Sequence, residues 1–425
     1  MNSKNNKTIS KYLSKLLPKY TFLKEPAKNL EIVVVVPIYK EKDYIFKTID
    51  SLLCCDETKK GVEVVLLFNA SEKDNKNVIK EQKRVAETIR KKYCKRTNSW
   101  LSFVVEERYN IEKKHFGAGM ARKLGMDIAL ARLFSVGKNE GLIVSLDADT
   151  LVLPNYFNAI LEWFNDTAKK GASIYFEHPL DGNEFTPEVY DGITKYELHL
   201  RYFLQAWRIT GFPYAYHTMG SAMAMRASAY AQIGGMPRKQ AGEDFYFLQK
   251  LIPLGGFGDI TKTKVIPSPR PSNRVIFGTG AAIKNMIKGS NDINYTYNYQ
   301  AFNDLKVLFS LRSQLFGIKS VDFNLWCNNL AKPLQIFLLE YNFYSDLNNL
   351  NNNCSNIKIF EKRFWEIFNA FKVVKYLNFV HDTYFKKMSV LEAGLTFLNN
   401  NNHSTEGLNS EKKVLHYFRD MELAV

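Results

Sequence analysis

Four short apolar runs, separated by stretches of helical spacing, limit this chain more than any other feature. They are "EIVVVVPIY" from Glu31, "VEVVLLF" from Val62, "WLSFVVEE" from Trp100 and "GLIVSL" from Gly141. Each is rich in β-branched residues and apolar at successive positions, so both faces of the strand are buried, as in a parallel sheet. Between them, "YIFKTIDSLLCC", a Lys-rich stretch over roughly 77–95 and "GAGMARKLGMDIALARLF" carry helical spacing. Strand and helix alternate, which predicts an α/β fold with a doubly wound, mostly parallel sheet. Further on, a helix after Pro154, a strand at "ASIYFEH", a helix over roughly 187–209, a strand at "SAMAMR" and a helix after Glu243 are expected.

Beyond residue 290 helical spacing takes over, in "DLKVLFSLRSQLFGI", "LQIFLLEYNFY" and "RFWEIFNAFKVVKYL". The expected organisation is a basic N-terminal tail (1–30), an α/β domain (31–290) and a helical C-terminal region (291–425). The Asn-rich stretches "NNLNNNCSN" and "NNNNHSTEG" read as surface loops. The first thirty residues hold seven Lys against one Glu. They read either as a solvated tail or as a short amphipathic helix near Ile9–Leu17 that touches an anionic membrane face. The net charge of +15 favours anionic partners without choosing among them. Five scattered cysteines with no C-x-x-C pair read as reduced thiols. No apolar run is long enough to span a bilayer, and the N-terminus lacks the pattern of a secretory signal. A cytoplasmic protein, in peripheral contact with the inner membrane face at most, is therefore expected.

Chemistry enters at "SLDADT", residues 145–150. Asp147 and Asp149 follow a predicted parallel strand at the edge where open α/β sheets bind ligands. Residues i and i+2 of a strand share a side. Two hard carboxylate ligands there could hold Mg²⁺ or Mn²⁺, with water and substrate phosphates completing the shell. The plainer alternative is one Asp capping a turn and the other solvated. Arg270 and Arg274, in "PSPRPSNRVIFGTG", have the fork geometry that matches phosphate oxygens, or are ordinary surface arginines.

Four segments, "VVVVPIYKE", "GAGMARKLG", "SLDADT" and "GSAMAMRASAYAQIGGMPRKQAGED", stand in one order over roughly Glu31 to Gly280. In that combination the chain resembles the family 2 glycosyltransferases of GT-A fold. The resemblance implies inverting transfer of a sugar from a nucleotide diphosphate donor of UDP or GDP type, assisted by a divalent metal. The acceptor it implies is a carbohydrate or lipid-linked hydroxyl, as in cell-envelope polysaccharide. It places Pro37, Tyr39 and Glu41 at the nucleotide pocket, with Asn69 where the family usually has Asp. It sets Gly117 and Arg122 near the donor phosphates, in a triplet that reads "ARK" instead of "ARN". Gly220 and Ser221 would border the donor sugar. Asp244, beside Glu243 in "GED", would be the base that takes the acceptor proton.

Other classes fit less well. A dinucleotide fingerprint fails because its third glycine would be Arg122. A sugar-phosphate nucleotidyltransferase should carry a Gly-rich loop after the first strand, where "PIYKEKD" stands. No nucleic-acid-binding motif accompanies the positive charge. Both Asp147/Asp149 and Asp244 are intact, which argues against a non-catalytic sugar-binding homologue. The Q-x-x-R-W signature of polymerising relatives is absent, so single addition is expected.

Overall fold

The computed structural model describes residues 2–16, 22, 24–95, 100–240, 242–274, 278–289 and 293–424, with residues 2–4 described as backbone only. The chain forms two compact units, residues 1–190 with 216–284, and residues 191–215 with 285–425. Residues 191–215, placed with the α/β domain on sequence, thus pack with the C-terminal helices.

In the first unit, in chain order, come α1 (Asn2–Leu13), β1 (Leu30–Ile38), α2 (Ile45–Leu53), β2 (Gly61–Ser71), α3 (Lys76–Ile89), β3 (Leu101–Ile111), α4 (Ala118–Ser135) and β4 (Leu142–Ser145). There follow β5 (Thr150–Val152), α5 (Tyr156–Trp163), β6 (Gly171–Phe176) and α6 (Pro187–Arg208), which runs on into the second unit. Then come β7 (Met223–Arg226), α7 (Ala227–Gln232), α8 (Glu243–Leu251) and β8 (Phe257–Pro267). The strands make one eight-stranded sheet in the order β3-β2-β1-β4-β7-β6-β8-β5. The pairs β1–β2, β2–β3, β1–β4 and β6–β8 are parallel, and β7 and β5 pair antiparallel with their neighbours.

The valines of β1 and the whole of β2 are buried on both faces, which is why the sequence shows them as unbroken apolar runs. The charged residue inside β2 is Glu63, matched by the equally buried Arg132, which donates to Glu63 Oε2 at 2.8 Å. Two strands escaped the sequence reading. Strand β8 alternates buried and half-buried residues and carries Thr261, Lys262 and Lys264 outward while Thr263 is buried, and β5 is three residues long. Helix α1 is not a solvated tail: Ile9 is fully buried and Tyr12 reaches Asp127.

The second unit is helical, with α-helices from Tyr299–Ser310 through Glu411–Leu423 and a short antiparallel pair, Tyr295–Thr296 with Met388–Ser389. A buried charge cluster ties its last helix to α6, where Arg419 donates to both Glu197 oxygens at 2.8 and 2.9 Å and Arg201 pairs with Glu197 and Glu422. A helix over 343–352 takes in the first part of the first Asn-rich stretch, residues 348–352, while 353–356 form the expected loop. Phe343, Leu347 and Leu350 bury one face, and that burial outweighs the weak helix propensity of Asn. Of the aromatics of α6, Tyr202 and Trp207 are buried in the core, while Tyr196 and Phe203 are half-buried. All five cysteines are free thiols. Among the described residues, no helix is long and apolar enough to cross a membrane.

Candidate active site

The parallel strands β1, β2 and β4 end at one edge, and the expected residues lie along it. Pro37 does not stop β1: it pairs with Leu67 of β2, and the strand runs one residue further. Beyond it Tyr39 donates its hydroxyl to Asp74 at 2.7 Å and stands edge-on to Phe116. Burial and the Asp74 carboxylate push the Tyr39 phenol up, so it remains a donor at neutral pH. Asp74 is fixed by the Ser71 amide at 2.7 Å. Gln82 of α3 reaches the carbonyls of Ile38 and Asn69 and so bridges the ends of β1 and β2. Asn69 itself is 2 % exposed, and its Oδ1 has no hydrogen-bond partner among the described residues. Asp74 and Gln82 were missed on sequence. A polar turn after a strand flags Asp74; only the tertiary structure shows Gln82 to be buried.

Asp147 and Asp149 are placed by a turn and not by strand alternation. Strand β4 stops at Ser145, the Thr150 amide donates to the Asp147 carbonyl at 3.2 Å, and Ser268, just past β8, donates its amide to the Asp149 carbonyl. Each carboxylate has its own arginine. Arg122 Nη2 donates to Asp147 Oδ1 at 2.6 Å, and Arg270 Nε donates to Asp149 Oδ2 at 2.6 Å. The other oxygens, Asp147 Oδ2 and Asp149 Oδ1, accept no hydrogen bond from the described residues. Burial and the neighbouring Asp147 raise the Asp149 pKa.

Arg122 joins the two halves of the site. While Nη2 holds Asp147, Nη1 pairs with Glu243 at the start of α8. The geometry depends on missing side chains. A Cβ on Gly220 would lie 2.8 Å from Arg122 Nη1 and overlap the rest of the guanidinium. A Cβ on Gly119 would overlap the Lys239 carbonyl and stand 2.8 Å from Glu243 Cβ, and one on Gly117 would meet the Gln240 backbone at 2.8–2.9 Å. The two glycines therefore let the start of α4 press against the segment that delivers Glu243. Ser221 is buried just before β7. Glu243 is 3 % exposed and committed to Arg122. Asp244 is partly exposed and accepts the Phe245 amide at 2.8 Å. Burial, then Glu243 and Asp147, push the Asp244 pKa up to about 6 against the pull of Arg122. A carboxylate so tuned can take a proton near neutral pH.

Arg270 and Arg274 are not loose. Arg270 Nη2 donates to both Glu41 oxygens at 2.6 and 2.7 Å, and its guanidinium lies 4.2 Å over the Tyr44 ring. Arg274 pairs with the same Glu41 and donates to the Tyr39 carbonyl at 2.6 Å. Glu41 thus holds the 268–274 segment against the end of β1, and its burial and the nearby Asp149 raise its pKa. His217 turns its ring edge-on to Phe176 and accepts the Ser173 hydroxyl on its carbonyl. In this cluster five carboxylates face three guanidiniums. Among the described residues, no three His, Cys, Asp or Glu side chains gather as a ready metal cage.

No protein-family model and no curated protein matches the sequence. Several solved structures align with the chain at low identity. One is Staphylococcus aureus TarS 1–349 in complex with UDP-GlcNAc, at 13% identity over 79% of this chain and 92% of that one, TM-score 0.40. Another is the mannosyltransferase PcManGT from Pyrobaculum calidifontis with GDP-Man and Mn²⁺, at 13% identity over 100% and 94%, TM-score 0.34. A third is GalNAc-T7 with UDP, GalNAc and Mn²⁺, at 15% identity over 81% and 58%, TM-score 0.39.

Proposed function

We propose that this chain is an inverting glycosyltransferase of the family 2 type. It would move one sugar per encounter from a nucleoside diphosphate donor of UDP or GDP type to a hydroxyl of a carbohydrate or lipid-linked acceptor. The observation that carries the reading is the Arg122 fork, which links Asp147 on the donor side to Glu243, next to Asp244, on the acceptor side. In this reading Asn69 offers its free, buried acceptor to an N–H of the base, with Tyr39 and Pro37 alongside. Arg270 and Arg274 lie within one side chain of Asp149 and supply cations to the diphosphate. Asp244, with its raised pKa, takes the acceptor proton as the new bond forms. Glu243 keeps Arg122 in place.

The charge balance supports a divalent metal. With two more carboxylates than guanidiniums, the site would repel a bare diphosphate. Mg²⁺ or Mn²⁺ needs only one or two protein carboxylates when water and phosphate complete its shell. The free oxygens of Asp147 and Asp149 suit that role, and the ion would neutralise charge on the departing diphosphate. The test is a panel of UDP-, GDP- and dTDP-sugars, each incubated with the protein and Mn²⁺, with released nucleotide as the signal. Release above the rate of an Asp244→Asn control is expected for one base type. A panel in which no donor binds or turns over refutes the reading.

A further inference from the structure

We infer that helix α1 is a positioning element of the active site and acts through Tyr12; its catalytic half rests on the glycosyl-transfer reading. The Tyr12 hydroxyl donates to Asp127 Oδ1 at 2.7 Å and accepts from Lys123 Nζ at 2.9 Å. Lys123 also donates to Asp127 Oδ2 at 2.8 Å, and Tyr230 donates to Asp127 Oδ1 at 2.7 Å. Asp127 is 2 % exposed, so its charge is held entirely by these three side chains. The two tyrosine rings meet edge-on at 5.8 Å. Gly235, at φ +71°, leaves room for the hydroxyl: a Cβ there would stand 2.8 Å from Tyr12 Cζ and overlap the oxygen. A second tie runs from Asn5 to Glu140, whose other oxygen accepts from Ser228 of α7.

Tyr12 therefore grips two segments at once. Lys123 and Asp127 belong to α4, and Tyr230 and Gly235 belong to α7 and the turn after it. Arg122 lies on α4, and Glu243 opens α8 eight residues after Gly235. Arg122 and Lys123 are consecutive on α4, about 100° apart around its axis. One faces the site and the other faces α1, which gives "ARK" its Lys a job outside the site. On the site side, α4 meets the Lys239–Glu243 segment through Gly117 and Gly119, which offer no side chain to fix their relative position. The registration of Arg122 on Glu243 is then set from behind, by the clasp on Asp127.

Tyr12→Phe keeps the ring and removes the hydroxyl, and Lys7→Ala, at an exposed position of α1, is the control. Hydrogen–deuterium exchange on the full chain is expected to quicken about tenfold in Tyr12→Phe at the hydrogen-bonded amides of Ala121–Gly125 and Ile233–Gly235. Those of β1 and β2 should stay unchanged, and Lys7→Ala should match the wild type. With the donor that the wild type consumes, kcat should fall about tenfold while the donor KM holds within about twofold. Faster exchange confined to α1, spread over the whole sheet, or absent overturns the proposal, as does a higher KM at unchanged kcat. If the wild type releases nucleotide from no donor, the transfer reading fails, and the exchange pattern still decides whether Tyr12 holds the two segments.

Discussion

Asp244→Asn should make the protein more stable and nearly inactive, and the size of the gain follows from the site. The folded Asp244 carboxyl is raised from its ordinary 3.8 to about 6, chiefly by burial and then by Glu243 and Asp147. A carboxylate raised in this way is disfavoured by the fold when ionised. Below about pH 4 both folded and unfolded chains hold the proton, and no cost exists. Between about 4 and 6 the folded chain holds a proton that the unfolded chain has lost, so stability falls as pH rises. Above about 6 the full cost is present. At 1.36 kcal/mol per pH unit the rise corresponds to about 3 kcal/mol. Since Glu243 and Asp147 carry part of the repulsion, we expect Asp244→Asn to gain about 2–3 kcal/mol at pH 8 and close to nothing at pH 3.5. Urea unfolding of both proteins at several pH values measures the difference directly.

The same substitution removes the proposed base, and sugar transfer should drop by about 10²- to 10⁴-fold. Wild-type activity should rise through pH 6 and level off, since roughly nine-tenths of Asp244 is ionised at pH 7 when its pKa is about 6. Glu243→Gln should cost less activity but lower stability, because it removes the charge of one of the two carboxylates that hold the buried Arg122. A stability difference that does not change with pH, or transfer at a near wild-type rate in Asp244→Asn, refutes the reasoning.

Nucleoside diphosphate binding should tighten with Mn²⁺ or Mg²⁺, and Asp149→Asn should remove most of that gain; equal affinity in excess EDTA, with activity unchanged, is the contrary result in calorimetry. Gly119→Ala should cost about 1–3 kcal/mol of stability and lower transfer, because the new Cβ overlaps the Lys239 carbonyl and crowds Glu243; a thermal-unfolding midpoint equal to wild type argues against the close approach. Glu41→Gln weakens the hold on Arg270 and Arg274, so it should lower stability by about 1–3 kcal/mol and weaken donor binding less than loss of Arg270 does. Arg270→Ala should weaken donor binding, and titration with the nucleoside diphosphate separates these two outcomes.

What the sequence displays is what local chemistry controls. Strands β1 to β4 were legible because burial on both faces demands continuous apolar, β-branched runs. Strand β8 was not, because only one side of it is buried and its Thr and Lys residues read as loop. The helix at 343–352 was hidden by composition, since its few buried residues sit among asparagines. Of the candidate-site residues, Asp147, Asp149, Arg122, Glu243 and Asp244 were each singled out through short motifs. Their pairing was not, because the ion pairs join residues far apart in the chain: Arg122 to Glu243 across 121 positions and Arg270 to Glu41 across 229. Spacing carries no signal over such distances.

The pairings nevertheless have a common cause. Asp147, Asp149, Glu41 and Glu243 each lie against a guanidinium, whereas Asp244 does not; its pKa is pushed up to about 6, and burial with neighbouring acids raises those of Asp149 and Glu41 as well. Leaving Asp244 beside two other acids costs stability, and in the proposed reading that cost leaves a proton acceptor poised near neutral pH.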